Sequence, residues 1–124
     1  MSNSPICLDA SVVIRLVADP GAASVTQLFE QWTTQGRTLV APALLYFEVA
    51  NASYQYHKHD ILSKEAIFLA LQAAQSLPIQ LHHPPQLHQH AVELAQQHDL
   101  PATYDAHYLA LAEHLGCPFW TADQ

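Results

Sequence analysis

The chain has 124 residues and a formal charge of −7; half of it is apolar and only 12 % is charged, about half the usual charged share. That length suits a single domain spanning 1–124 with a real core, and the apolar content excludes a disordered chain. The acidity argues against a broad basic face for nucleic acid, no apolar run is long enough for a membrane span, and no basic-then-apolar leader opens the sequence, so the cytoplasm is the expected compartment.

Residues 6–8 (ICL) read as a short buried strand. Residues 11–17 read as a helix stopped by Asp19-Pro20-Gly21. A second helix covers 23–35, with Val25, Leu28, Phe29 and Trp32 at helical spacing and Gly36 at its end. Residues 38–41 form a second buried strand cut by Pro42, which opens a helix over 42–56 from its first turn. Ser63 starts a helix over 63–76, with Glu65 in the first turn and Pro78 beyond its end. A third strand at 79–81 precedes a helix over 85–98 that carries Leu87, Ala91, Leu94 and Ala95. Thr103 caps a helix over 103–115, Gly116 stops it, and 118–122 form a fourth strand. Short apolar strands alternating with amphipathic helices predict an α/β fold with a central parallel sheet of four strands covered on both faces.

Four of the acidic residues sit among apolar neighbours. Asp9 falls in ICLDASVVI, Glu48 in LLYFEVANA, Asp105 opens YDAHYLALAEHL, and Asp123 follows FWTA. Carboxylates in such places cost free energy unless something compensates them. Asp9 and Asp123 lie at or just past the carboxyl ends of the first and fourth strands. Asp105 lies in the first turn of its helix, and Glu48 about a turn and a half into the helix after the second strand. Open parallel sheets bind ligands beyond the carboxyl ends of their strands, so one folding step brings all four to one edge. A shared divalent cation would compensate them. Magnesium and manganese prefer oxygen ligands, and either ion can activate a water for phosphodiester displacement. Each residue also has a plainer explanation. Asp105 suits a helix N-terminus, Asp9 a cap, Asp123 a frayed end, and Glu48 a surface stripe with Asn51 and Gln55.

Nine histidines are present, and most fall in Gln- and Pro-rich stretches that read as solvated; His107, close to Asp105, is the one placed for chemistry. Cys7 and Cys117 have apolar neighbours and no C-x-x-C partner, so free buried thiols are expected.

Three segments carry a resemblance: LDAS near the start, APALLYFEVANA in the middle, and TYDAHYLALAEHLGCPFWTAD at the end. In order and spacing they resemble the PIN domain, and within it the VapC-type toxins of bacterial toxin–antitoxin pairs. The resemblance covers essentially the whole chain and is most specific at Asp105, Tyr108, Ala112 and Thr121-Ala122-Asp123. It implies a three-layer α/β/α fold and a metal-dependent endoribonuclease. It makes Asp9, Glu48, Asp105 and Asp123 the catalytic residues and the ligands of Mg²⁺ or Mn²⁺. Ser11, Asn51 and Thr121 become the polar residues beside them. It further implies an RNA substrate, a homodimer and a cognate antitoxin that blocks the site. Family members usually continue through a further helix and a fifth strand beyond T-A-D. Without these after Gln124, the fourth strand is expected as an exposed edge. That departure motivates an alternative: a degenerate PIN domain, weak or inactive in catalysis, that serves as a protein-interaction module. An unrelated α/β phosphoesterase ranks below both, because Gly21, Gly36 and Gly116 build no phosphate loop. Arg15, on the first helix, reads as a solvated residue, with an RNA phosphate as its functional alternative.

Overall fold

A computed structural model of the chain describes residues 5–18 and 23–121. The elements run β1 (Ile6–Leu8), α1 (Ala10–Ala18), α2 (Ala23–Thr34), β2 (Leu39–Pro42), α3 (Leu45–Lys58), α4 (Lys64–Gln75), β3 (Ile79–His82), α5 (Gln86–Gln97), α6 (Tyr104–Leu115) and β4 (Phe119–Trp120). All strand pairs are parallel and the order is β3-β2-β1-β4. Ile6 and Cys7 sit opposite Leu39 and Val40, while Cys7 and Leu8 sit opposite Phe119 and Trp120.

The alternation of side chains along β1 and β2 divides the core in two. Ile6, Leu8 and Leu39 face one way and pack with Val12, Trp32 and the apolar stripe Val25, Leu28 and Phe29 of α2. Cys7 and Val40 face the other way, into the larger core with Leu45 and Val49 of α3, Leu87 and Leu94 of α5, and Tyr108 and Leu111 of α6. Helices therefore cover both faces, which is the expected α/β/α layering. The inner strands β1 and β2 are buried throughout, as apolar runs without polar alternation require. Each fully buried aliphatic side chain here contributes about 1.5–3 kcal/mol.

Two helix starts differ from the sequence expectation. Pro42 does not open α3; it is the last residue of β2, paired with His82. The parallel ladder continues one step further, since the Ala43 N–H donates to the His82 carbonyl at 3.2 Å. The ladder therefore reaches one step past Pro42, Ala43 and Leu44 form a turn, and the helix begins at Leu45. Glu48 consequently falls in the first turn of α3 rather than half a turn beyond it. Thr103 precedes α6 as expected but makes no side-chain cap, because its own backbone is already helical (φ −95°, ψ −4°). Ser63, with extended backbone, does cap α4, accepting from the Ala66 N–H at 3.1 Å. The Asp19-Pro20-Gly21 turn lies outside the described residues.

Gly116 ends α6 in the left-handed region (φ 61°), the conformation that terminates a helix at least cost without a Cβ. A Cβ there would meet nothing within 4 Å. Gly116→Ala should therefore lose only the backbone term, about 1 kcal/mol. Urea denaturation with an unchanged m-value is the check; a much larger loss would show that packing, not dihedral preference, selects glycine.

Candidate active site

The chain steps from β1 to β2 to β3 on one side, then returns to place β4 against the other side of β1. The carboxyl ends of β1 and β4 therefore flank a topological switch point, where open α/β sheets bind ligands. Asp9 is the residue after β1 and Thr121 the residue after β4. The Asp9 N–H donates to the Trp120 carbonyl at 3.2 Å, so the ladder delivers both residues to one point.

Asp9 is 9 % exposed. Its Oδ1 accepts from the Ser11 N–H at 3.0 Å, the Ser11 hydroxyl at 2.5 Å and the Val12 N–H at 3.4 Å. These are the bonds of a helix cap, so the plain reading of Asp9 holds for one oxygen. Oδ2 is directed elsewhere and accepts from the Thr121 hydroxyl at 2.6 Å. The Ser11 and Thr121 hydroxyls lie 3.2 Å apart, so the carboxylate is gripped from both strand ends.

Glu48, half-buried in the first turn of α3, accepts a very short hydrogen bond from the Tyr108 hydroxyl. Tyr108 is 1 % exposed. Burial first, then the hydrogen bond to Glu48 and the charges of Glu48 and Asp9, push its phenol well above its ordinary range. Tyr108 thus holds Glu48 and lies close enough to Asp9 to feel its charge. The Cys7 thiol, beneath them, donates to the Tyr108 carbonyl at 3.6 Å. Burial, with smaller contributions from Cys117 and Asp9, pushes that thiol up to about 12. Both cysteines are free; Cys7 is buried as expected, while Cys117 is only partly so.

Asp105 is exposed in the first turn of α6, three residues before Tyr108 and so on the same helix face. Residues of that first turn line a cavity with Pro42 and His82, the last residues of β2 and β3, which places the start of α6 at the same sheet edge. Asn51 is exposed one turn along α3 from Glu48. Ser11, Arg15 and Glu48 line a second cavity, of about 370 Å³, between α1 and α3. Among the described residues, no three His, Cys, Asp or Glu side chains are close enough to share a metal ion. Asp123 lies outside the described residues.

Tyr108 as the partner of Glu48 was not singled out from sequence; its signal was helical spacing from Asp105. The histidines also depart from a purely solvated reading. His82 is partly buried, and His88 Nδ1 lies 3.0 Å from His107 Nε2.

Among solved structures, the chain is similar to PAE2754 from Pyrobaculum aerophilum, with 20 % identity and a TM-score of 0.72 over 98 % of this chain and 82 % of that one. It is also similar to VapC20 of Mycobacterium tuberculosis, with 18 % identity and a TM-score of 0.67 over 95 % and 89 %. At these identities the likeness is one of fold. No curated protein sequence matches the chain. The PIN domain family matches it over residues 6–124. With the switch-point aspartate, the α/β/α layers and a family match over nearly its whole length, this chain belongs to the PIN domain family.

Proposed function

We propose that the chain is a metal-dependent endoribonuclease that hydrolyses RNA phosphodiester bonds as the toxin of a toxin–antitoxin pair. Membership of a family whose domains are generally nucleases supports this reading, as does likeness to VapC20, described as a sarcin-ricin loop cleaving toxin. The observation that carries it is the buried Asp9 carboxylate at the switch point, held through both oxygens by Ser11 and Thr121. A purely structural cap needs one oxygen; here the second is also oriented.

The donor chemistry fits a hard divalent ion. Asp9 and Glu48, with Asp105 and Asp123 completing the set, offer only oxygen, which suits Mg²⁺ or Mn²⁺. The hydrogen bonds to Asp9 come from neutral hydroxyl and N–H groups, and a cation beside it would offset the cost of its burial. The bound ion would supply an activated water and charge neutralisation at the scissile phosphate. The protein's own part is positioning. Ser11 and Thr121 orient Asp9, Tyr108 orients Glu48, and Asp105 would add a carboxylate from the exposed first turn of α6. Asn51 stands beside Glu48 as a further polar group. Under this reading the chain works in the cytoplasm as a homodimer, and a cognate antitoxin covers the site.

A second reading, a PIN domain that binds a protein partner without cleaving, is favoured by the absence of three clustered ligands among the described residues. Calorimetric titration with Mn²⁺ separates the two. The nuclease reading expects binding at millimolar metal or below, lost in Asp9→Asn, together with RNA cleavage that EDTA stops. No binding and no cleavage would leave the interaction module.

A further inference from the structure

We propose that the apolar cavity beside the carboxylate edge is a nucleobase subsite for single-stranded RNA, with Phe47 and Tyr104 as its stacking surfaces. This deepens the nuclease reading and rests on it. The cavity holds about 320 Å³ and is lined by Leu44, Phe47, His82, Leu87, His88 and Tyr104, among others. Phe47 is 75 % exposed and Tyr104 60 % exposed, and with the cavity they both line they make an apolar patch of the kind that marks an interaction site. Their positions in sequence tie them to the site: Phe47 directly precedes Glu48, and Tyr104 directly precedes Asp105. Successive helix residues point about 100° apart, so the cavity lies beside the carboxylates rather than over them. A nucleotide whose phosphate meets the carboxylate edge would have its base next to this cavity.

The wall also carries polar handles. His82 Nε2 is buried with no hydrogen-bond partner. His107 Nδ1 lies 2.6 Å from the Thr103 carbonyl, which can only accept, so that nitrogen carries the proton. In the neutral ring, His107 Nε2 then accepts from His88 Nδ1–H, and His88 keeps Nε2 as an acceptor. A base edge offers donors and acceptors to such groups, and its face offers stacking. Charge favours the same occupant class by a different route. With four Lys and Arg against eleven Asp and Glu, phosphate contacts cannot supply much RNA affinity. Stacking on aromatics needs no positive charge and is a source of affinity that the acidity leaves open.

The test uses the full chain and fluorescein-labelled single-stranded RNA homopolymers of A, C, G or U. Binding is read by anisotropy in EDTA, and cleavage is read separately with Mn²⁺. Phe47→Ala and Tyr104→Ala, both at exposed positions, should each weaken binding roughly 5- to 150-fold. Phe47→Trp should retain it. In cleavage the loss should fall on KM, with kcat little changed. Binding by Phe47→Ala as tight as wild type overturns the subsite. So does a variant whose only change, by sedimentation, is loss of self-association, which would make the cavity an interface between copies. The two readings fail separately. Wild type that cleaves RNA while Phe47→Ala behaves identically removes the subsite alone. Wild type that binds RNA through Phe47 but never cleaves removes the nuclease and keeps the subsite.

Discussion

Asp105→Asn should leave the protein folded and reduce its RNA cleavage by at least about a hundredfold, the scale of losing one charge-stabilising group at a reacting centre. Asp105 is exposed in the first turn of α6 and supports no part of the core. The structural cost is its interaction with the helix dipole, about 0.3–1 kcal/mol. Asp9→Asn should differ in kind. Its carboxylate accepts from two hydroxyls and two backbone N–H groups. An Asn can keep its Oδ1 on the three Oδ1 donors and turn its NH₂ to Thr121, whose hydroxyl rotates to accept, but these bonds lose the charge that strengthens them, costing about 1 kcal/mol. Asp9→Asn is therefore expected to lose both cleavage and thermal stability, and Asp105→Asn cleavage alone. Melting curves and cleavage rates on the same preparations separate the two. An Asp105→Asn protein that cleaves as fast as wild type would remove Asp105 from the site, and with it the four-carboxylate arrangement.

That contrast shows which parts of this protein are readable from its residues. The strands were, because β1 and β2 are buried on both faces and their sequences carry nothing but apolar groups and Pro42. The sheet edge was readable too, since a carboxylate directly after a buried strand has nowhere else to go. Local rules then failed where long-range pairing took over. Pro42 followed by a helical pattern reads as a helix start, yet the Ala43 N–H is claimed by β3, and the helix is displaced to Leu45. Thr103 reads as a cap, but its backbone is already helical, so its hydroxyl makes no cap bond. The pairing of Tyr108 with Glu48, and of His88 with His107, joins residues from separate helices. No periodicity within one segment encodes either contact. The place of Asp9, with Ser11 and Thr121 beside it, was thus visible, whereas the Tyr108 hydroxyl that holds Glu48 was not.

Tyr108→Phe should destabilise the fold by about 1.5–3 kcal/mol, because it deletes a buried hydrogen bond to a carboxylate. For a domain of this size that corresponds to a melting point lower by about 5–10 °C. The ring itself stays, so the packing of Tyr108 against the core and near Phe119 is preserved, and cavity formation is not the cause. The functional effect should be a fall in cleavage of roughly ten- to a hundredfold, as for other groups that orient a metal-binding residue. Glu48 would keep its charge but lose the donor that fixes its rotamer. A double-mutant cycle with Glu48→Gln tests the assignment. If Tyr108 acts on catalysis through Glu48, removing its hydroxyl from the Glu48→Gln protein should cost little further activity. If the two losses multiply independently, Tyr108 acts elsewhere and the orienting role is wrong. Metal affinity gives a reading that a merely structural role would not move. Mn²⁺ binding should weaken in Tyr108→Phe and stay unchanged in Gly116→Ala, whose stability loss is of similar order but whose site is untouched.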